Sequence, residues 1–510
     1  MQIKRALISV SNKDGIVEFA RSLQSIGIDI IATGGTFKVL SDAGLQVKAV
    51  SDITKYPEML NGRVKTLHPA IHGGILAERS SKEQMKELKD LDIMPIDLVV
   101  ANLYPFQEVV KKEQADIKEA IENIDIGGHS LIRSAAKNYE NVAVIVNPDQ
   151  YPKIVDELKI TGVISEETRY ALAVDAFRHT AEYDSVINDY LKNRKDGSFP
   201  DILNLSFKKV QDLRYGENPH QKAALYKEFN TQSSAIVNAE KLNGKELSYN
   251  NVLDATAALQ IVREFEQPTI TVIKHTNPCS VASGSSFEEA YDKAIASDYE
   301  SAFGGIIGMN GTLSIELAER IVKNFFDVII APDYESDALD ILKSRKNLIV
   351  LKTGDVGINK PDMVVTKVDG GILLQDYDAK DIDGFKIVTK KQPATDQVES
   401  MRFAWKIIKH VKSNAIIVAK DSQTFGIGIG QTSRVNASKI ALERAGGNSN
   451  GAVLASDGFF PFRDSIDLAA KNGISAIIQP GGSIRDQEII DAANEHDIVM
   501  LFTGIRAFKH

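Results

Sequence analysis

Short runs of Ile, Val, Leu and Ala recur along the first 150 residues, at Ala6–Val10, Asp29–Ala32, Gln46–Val50, Asp97–Asn102 and Val142–Val146. Between them, apolar positions recur three and four apart in Ile16–Ile26, Ser81–Leu91 and Ile117–Ile124. The first pattern predicts buried strands and the second amphipathic helices. Strands alternating with helices predict βαβ units and a mostly parallel sheet, whose ligand crevice lies beyond the carboxyl ends of the strands. A long helical pattern covers 165–194, with Ser165 as N-cap and Glu166 and Glu167 in the first turn, where the helix dipole favours negative charge. Periodicity is lost over 195–209, where Gly197, Ser198 and Pro200 cluster. The main domain boundary is placed there, giving 1–196 and 197–510. Strand-like runs resume at Thr269–Ile273, Leu348–Leu351, Ala415–Val418, Ala476–Ile478 and Ile498–Phe502, so the second region also reads as α/β, as one large domain or two subdomains. No short-period repeat or low-complexity tract appears.

Composition narrows this picture. A chain of 510 residues is too long for one ordinary domain, and 43% apolar with 25% charged residues fits a soluble globular protein. No run of 18 apolar residues is present, so no membrane span is expected. The start, Met1 to Arg5 and then Ala6 to Val10, weakly mimics a secretion signal, but Ser9, Ser11 and Asn12 interrupt it and it reads as a first strand. Cys279 is the single cysteine, so no intrachain disulfide can form and a reducing, cytoplasmic compartment is expected. Sites built from several thiolates within one chain are excluded. The net charge of −9 argues against a general nucleic-acid binder while leaving room for a local cationic pocket.

Candidate chemistry lies on the loops after the predicted strands. Thr33-Gly34-Gly35-Thr36 opens a helix over 36–43; its glycines allow close backbone approach, and the helix start offers free N–H groups to an anion. Ser11 and Lys13 follow the first strand, and Arg63, Lys65 and Thr66 add two cations and a hydroxyl. In an extended segment Arg63 and Lys65 face the same side. His68 and His72 are four apart, but the intervening Pro69 speaks against a metal-binding helix, and no metal is expected. Asn102, Leu103, Tyr104 and Pro105 close the fourth strand run; Asp125, Ile126 and two glycines precede a helix bearing Lys137. Each alone is compatible with plain connection, capping or a solvated surface. Together they suit a ribose phosphate, with the phosphate in the amide-and-lysine cradle and the base further in.

A second constellation lies downstream. Leu213-Arg214-Tyr215-Gly216-Glu217-Asn218-Pro219-His220-Gln221 is a dense polar stretch that reads as a loop. Lys274 and His275 follow the strand run Thr269–Ile273 and are closed by Asn277-Pro278. An imidazole there can take a proton from an amine nucleophile, and a neighbouring ammonium can stabilise charge developing on a carbonyl oxygen. Cys279, without an identified partner, reads as packing. The stretches 301–305 and 426–434 read as glycine turns with polar ends. Phe459, Phe460 and Phe462 surround Pro461 and adjoin Asp464, either as a plug beneath a loop or as a slot for a flat heteroaromatic ring.

The motifs SVSNK, ATGGT, GRVKTLHP, NLYPF, DIGG and AAKN, followed by RYGENPHQ, KHTNPC, SAFGG, GQTSR, FFPFRD and TGIR, resemble in content and order the family of bifunctional purine biosynthesis proteins. The resemblance implies an amino-terminal IMP cyclohydrolase domain with a methylglyoxal synthase-like parallel sheet. It also implies a carboxyl-terminal transformylase region of two cytidine deaminase-like subdomains. The implied reactions are formyl transfer from 10-formyltetrahydrofolate to the 5-amino group of aminoimidazole-carboxamide ribotide (AICAR), then closure of the formylated product (FAICAR) to inosine monophosphate (IMP) with loss of water. By resemblance, Ser11, Lys13, Thr33, Gly34, Gly35, Thr36, Arg63, Lys65 and Thr66 would contact the cyclohydrolase nucleotide. Asn102, Leu103, Asp125 and Ile126 would lie nearer its base, and Lys137 matches the family's acid/base lysine. Lys137 or Tyr104 could assist proton movement; which group gives and which takes is left open. In the second region the resemblance makes His275 the general base and Lys274 the oxyanion stabiliser. Arg214, Tyr215, Asn251, Gly304, Asp327, Asn414, Arg434, Phe459 and Arg506 would hold AICAR, with Val435, Asp464, Ser483 and Ile484 on the folate side.

The implied cofactor set is empty apart from 10-formyltetrahydrofolate as co-substrate; the implied partners are the small-molecule substrates and a second copy in a homodimer that shares its transformylase sites, with no nucleic acid and no membrane. One departure is visible: Ser280 stands where the family usually has glycine, and a side chain there could tighten the loop that places Lys274 and His275. Two rivals compete. A methylglyoxal synthase-like lyase leaves the second constellation unexplained, and a non-catalytic ribotide sensor would bind without turnover.

Overall fold

The computed structural model describes residues 2–104, 106–110, 117–192, 199–229, 231, 234–357, 363–382 and 384–510. It divides into two compact units, Met1–Ser206 and Phe207–His510. The expected boundary at 196/197, with Gly197 and Ser198, and also Pro105, lie outside the described residues.

In the first unit, β1 (Arg5–Val10), β2 (Asp29–Ala32), β3 (Val47–Ala49), β4 (Leu98–Asn102) and β5 (Ala143–Ile145) form a parallel sheet in the order β3-β2-β1-β4-β5. The continuous apolar runs exist because both faces of the central strands are covered; Leu7, Ile8, Val99 and Val144 are fully buried. The helix over Glu166–Lys192 starts where expected, and the Ser165 hydroxyl accepts the Thr168 amide. The glycine turn differs from expectation. Its helix spans Gly34–Asp42, two residues earlier than the apolar pattern shows, because Gly34 and Gly35 supply the first turn themselves. A further helix, Pro69–Leu76, begins at the proline that appeared to preclude one. Proline at the first helical position loses no hydrogen bond, and His68 caps it, its Nδ1 accepting from the Ala70 amide. His68 therefore lies outside the helix that carries His72.

In the second unit, β6 (Phe207–Leu213) pairs with β7 (Ala223–Glu228), and β14 (Met363–Val368) with β15 (Gly371–Asp376), as separate hairpins. The remaining strands form one twelve-stranded sheet among the described residues. They are β8 (Glu240–Asn243), β9 (Thr269–Lys274), β10 (Asn277–Ser283), β11 (Ile306–Met309), β12 (Val328–Ala331), β13 (Ile349–Lys352), β16 (Lys386–Ile387), β17 (Ile416–Lys420), β18 (Gln423–Gly428), β19 (Val453–Ser456), β20 (Ala476–Gln479) and β21 (Val499–Phe502).

This sheet contains the same topology twice. A helix, Tyr249–Val262, leads into β9, and the strands lie in the order β10-β9-β11-β12-β13. A helix, Thr395–Ile408, leads into β17, and the strands lie in the order β18-β17-β19-β20-β21. In each half the first strand is antiparallel to both neighbours and the last three are mutually parallel. The halves join where β10 meets β18, antiparallel. The glycines at 426 and 428 prove to be packing devices rather than turn residues. They lie in β18, where a Cβ would overlap the carbonyl oxygens of Ala441 and Ala437 in the helix Arg434–Ala445. Only Gly430, with φ 64°, makes the expected turn.

Candidate active sites

The first site lies at the carboxyl edge of the parallel sheet. Asn102, at the end of β4, accepts the amides of Ser11 (2.7 Å) and Asn12 (2.9 Å) and returns a bond to the Asn12 carbonyl (3.1 Å). This ties the loop after β1 to the loop after β4. The hydroxyls of Ser9 and Thr33 lie 2.8 Å apart, joining the loop after β2 to the group. A Cβ on Gly34 would sit 2.9 Å from Lys65 Nζ, and one on Gly35 would sit 3.9 Å from Lys13 Nζ. Two ammonium groups thus stand over the amides that open the helix Gly34–Asp42, an arrangement suited to a phosphate. Lys65 is itself held by Glu58 at 3.2 Å. Thr66 reaches the start of the helix Gly127–Lys137, its hydroxyl 3.0 Å from where a Gly127 Cβ would stand.

Asp125 is the best-anchored ionisable group here. Its Oδ1 accepts the Gly128 amide at 2.7 Å, and its carboxylate also takes the Tyr104 backbone N–H. Burial pushes its pKa up, and those bonds with His129 only partly offset the rise. Its own amide donates to the Tyr183 hydroxyl at 2.8 Å. Tyr104 and Ile126 are exposed beside it.

Other expected residues are placed differently. The Thr36 hydroxyl is buried between the amide and carbonyl of Val10, so it welds two loops instead of facing a ligand. The Leu103 side chain is buried. Arg63 is exposed and paired with Glu122. Lys137 is exposed at the far end of the eleven-residue helix that starts at Gly127. That is about 15 Å along the axis from the Gly127 end.

The second site is built on the β9–β10 hairpin. Lys274 pairs with Asn277, leaving His275 and Thr276 as a two-residue turn with φ of 54° and 64°. Both values positive is the geometry whose twist matches a hairpin, and it is normally met by Asn or Gly. The turn lifts the His275 side chain into an exposed position while Lys274 stays half-buried. Lys274 Nζ donates to the carbonyls of Phe303 (3.0 Å) and Ser301 (3.5 Å). The Phe303 ring lies tilted against Phe325 with centroids 5.1 Å apart, and the Gly304 amide donates to the Phe325 carbonyl.

Phe325 lines a cleft of about 600 Å³, shared by Arg214, Lys245, Asp327, Arg345 and Lys346. The Lys245 ammonium is 3.2 Å from Asp327. Lys245, Arg345 and Lys346 were not singled out from sequence, because isolated basic residues carry no pattern until the fold gathers them. Arg214 lies over the Tyr215 ring at 4.6 Å and donates to its hydroxyl. Asn251 is mostly committed to local structure, its Oδ1 accepting the Ser248 amide as part of a capping box.

Cys279 occupies the β-bulge between Pro278 and Ser280. Burial, then the negative charge of Asp298, push its thiol up to about 12, which removes it as a nucleophile. Ser280 lies inside β10, opposite Val272 and beyond the turn. Its buried hydroxyl has no hydrogen-bond partner among the described residues.

The remaining expected residues gather in the second half of the sheet. The Arg434 guanidinium donates to Ser456, Asp457 and Asn414. Arg434 and Arg506 both lie over Phe508, Arg506 at 4.5 Å. Phe459 is exposed, whereas Phe460 is buried in the core, so the cluster is part plug and part open ring. Asp464 begins the helix Asp464–Lys471, and Val435 is half-buried beside Arg434. Ser483 donates its amide to Asp486, Ile484 is fully exposed, and Arg485 lies over the Phe462 ring at 4.7 Å.

A parallel sheet with lysines and glycine-turn amides gathered at its carboxyl edge, and a duplicated α/β unit with Lys274 and His275 on a hairpin turn and a separate cationic cleft, suit a two-site enzyme acting on phosphorylated small molecules. A family model described as the AICARFT/IMPCHase bienzyme matches residues 135–444, and one described as an MGS-like domain matches residues 15–130. The chain is 53% identical over 513 residues to a bifunctional purine biosynthesis protein PurH of Acetivibrio thermocellus, covering 100% of both chains. It is 51% identical to the PurH of a Thermoanaerobacter species, over 99% of this chain and 100% of that one. It is 49% identical to the PurH of Bacillus cytotoxicus, with the same coverage. The chain belongs to the AICARFT/IMPCHase bienzyme family, with an amino-terminal MGS-like domain followed by the formyltransferase region. It is a purine biosynthesis enzyme with AICAR formyltransferase and IMP cyclohydrolase activities. Among the described residues no helix is long and apolar enough to cross a membrane.

Proposed function

We propose that the formyl donor is 10-formyltetrahydrofolate and that formyl transfer takes place at the β9–β10 turn. The AICAR amine is delocalised into its imidazole ring and is a poor nucleophile. His275 takes its proton as nitrogen attacks the formyl carbon, and Lys274 stabilises the oxygen that becomes negative. Collapse breaks the bond between that carbon and folate N10, which leaves with a proton as tetrahydrofolate. The donor is already activated, so positioning supplies much of the rest. Arg214, Arg345 and Lys346 are assigned to the ribotide phosphate, with Asp327 and Gly304 lining the approach. Asn414, Arg434, Phe459 and Arg506, with Val435, Asp464, Ser483 and Ile484 on the folate side, form a second group that completes the site within a homodimer. The observation that carries this reading is the Lys274 ammonium fixed on the Phe303 carbonyl, with the Phe303 ring against Phe325, which lines the cleft shared by Arg214, Lys245, Arg345 and Lys346. The repeated strand order, with its first strand antiparallel to the rest, supports the expectation of two cytidine deaminase-like subdomains.

FAICAR is then closed in the first unit. Lys13, Lys65 and the amides at Gly34 and Gly35 hold its phosphate, while Asp125 and Tyr104 face its reacting end. There the carboxamide nitrogen attacks the formyl carbon, a proton moves, and the former formyl oxygen leaves as water. The acid/base part of Lys137 rests on the resemblance. Lys137→Ala is expected to slow cyclisation and leave formyl transfer intact; an unchanged cyclisation rate assigns the proton transfers to Asp125 and Tyr104. Absorbance assays of folate-dependent formylation and of IMP formation test the whole reading. Loss of folate-dependent turnover would leave a ribotide binder, and methylglyoxal formation from a triose phosphate would favour a lyase in the first unit.

A further inference from the structure

The His275-Thr276 turn is sterically costly. Positive φ is unfavourable for any residue with a Cβ, and Thr276 is β-branched, the type least often found there. Such a turn persists only where its surroundings over-determine it. Its main anchor is Asp254, in the helix Tyr249–Val262. Asp254 Oδ1 accepts the Thr276 amide at 2.6 Å and Oδ2 accepts the His275 amide at 3.3 Å. The His275 carbonyl is held from the other side by Asn277 Nδ2 at 2.9 Å, and Asn277 Oδ1 in turn accepts the Lys412 amide at 3.1 Å. Both peptide groups flanking His275 are therefore fixed by side chains.

The second half of the sheet supplies an internal comparison. Its equivalent turn, Asp421-Ser422 between β17 and β18, also has two positive φ values, 49° and 57°. Lys420 takes the position of Lys274, and Ser400 that of Asp254: each lies five residues after the start of its helix. Ser400 Oγ accepts one amide, that of Asp421, at 3.3 Å. Where the turn carries no imidazole, one neutral acceptor suffices. Where it carries His275, a carboxylate takes both amides.

We propose that Asp254 is a positioning residue for formyl transfer, holding the His275-Thr276 turn left-handed so that the imidazole is presented at the tip of the β9–β10 hairpin, next to Lys274. The proposal rests on the reading of His275 as general base. Asp254 does no proton chemistry itself; it fixes where His275 stands by gripping the backbone.

The test uses the full chain with AICAR and 10-formyltetrahydrofolate, comparing Asp254→Ala, Asp254→Asn, Asp254→Ala with Thr276→Gly, and His275→Ala. Asp254→Ala is expected to lower kcat about 100-fold, the scale of an ångström-sized misplacement, with KM for AICAR little changed. Asp254→Asn should recover part of the loss, because the amide oxygen still accepts the Thr276 amide. Adding Thr276→Gly to Asp254→Ala should also recover activity, because glycine adopts positive φ without strain. Cyclisation of supplied FAICAR, and the pH profile of the remaining formylation, should be unchanged throughout the Asp254 series. A wild-type kcat in Asp254→Ala with an inactive His275→Ala overturns the positioning role alone. Failure of both the asparagine and the glycine variants to recover activity overturns it too, since it would make Asp254 a direct chemical participant. Full activity in His275→Ala overturns the reading of His275 itself, whatever the Asp254 variants do.

Discussion

His275→Ala is expected to lower folate-dependent formylation of AICAR by about 10³-fold, within the range that a general base contributes. The same protein should still close supplied FAICAR to IMP at the unmodified rate. The side chain is exposed on a hairpin turn, so its removal leaves no cavity, and the turn keeps its anchors at Asp254 and Asn277. The loss should therefore fall on kcat rather than on folding, and the melting temperature should not move. Absorbance assays of the two half-reactions on one preparation check this. Loss of both activities would contradict two separate sites, and retained formylation would remove His275 from the chemistry.

Arg434→Ala carries the largest expected effect on stability. The guanidinium and Asp457 form a buried ion pair with side chains 6% and 0% exposed. Asp457 also accepts the Ser413 hydroxyl at 2.6 Å. Truncating the arginine leaves a buried carboxylate with its main counter-charge gone, a change that costs about 3–5 kcal/mol. Denaturant unfolding should show the loss, and Arg434→Met combined with Asp457→Asn should recover much of it, because the two substitutions share one interaction. Additive losses in the double variant would mean that the pair is not coupled. This also bears on the ribotide role expected for Arg434: three of its five N–H groups bond to Ser456, Asp457 and Asn414, which leaves Nε–H and one Nη2–H for a ligand.

The strands of both units were legible because buried β-structure writes Ile, Val and Leu runs directly into the chain; Asp29–Ala32 and Thr269–Lys274 fall where those runs lie. What escaped was carried by geometry. The two halves of the large sheet share an order of strands, yet their equivalent turns read Lys274-His275-Thr276-Asn277 and Lys420-Asp421-Ser422-Gln423, alike only in the lysine. Topology repeats there without a sequence repeat. Gly426 and Gly428 looked like a turn because glycine serves close packing and positive φ equally well. Pro69 looked like a helix breaker because its effect depends on whether it stands first or in the middle. Asp254, Arg345 and Lys346 have no local signature, and only the folded chain brings them to a turn or a cleft. Lys137 is the converse case: its motif is plain in the sequence, and it stands exposed at the last position of its helix.

The most direct test of the account is a crystal structure of the full chain with AICAR and a non-transferring analogue of 10-formyltetrahydrofolate. The expected result has the ribotide phosphate among Arg214, Arg345 and Lys346, its 5-amino nitrogen within hydrogen-bond reach of the His275 imidazole, and Lys274 facing the oxygen of the formyl mimic. Ribotide bound away from that cleft, with His275 open to solvent and touching neither ligand, would contradict it.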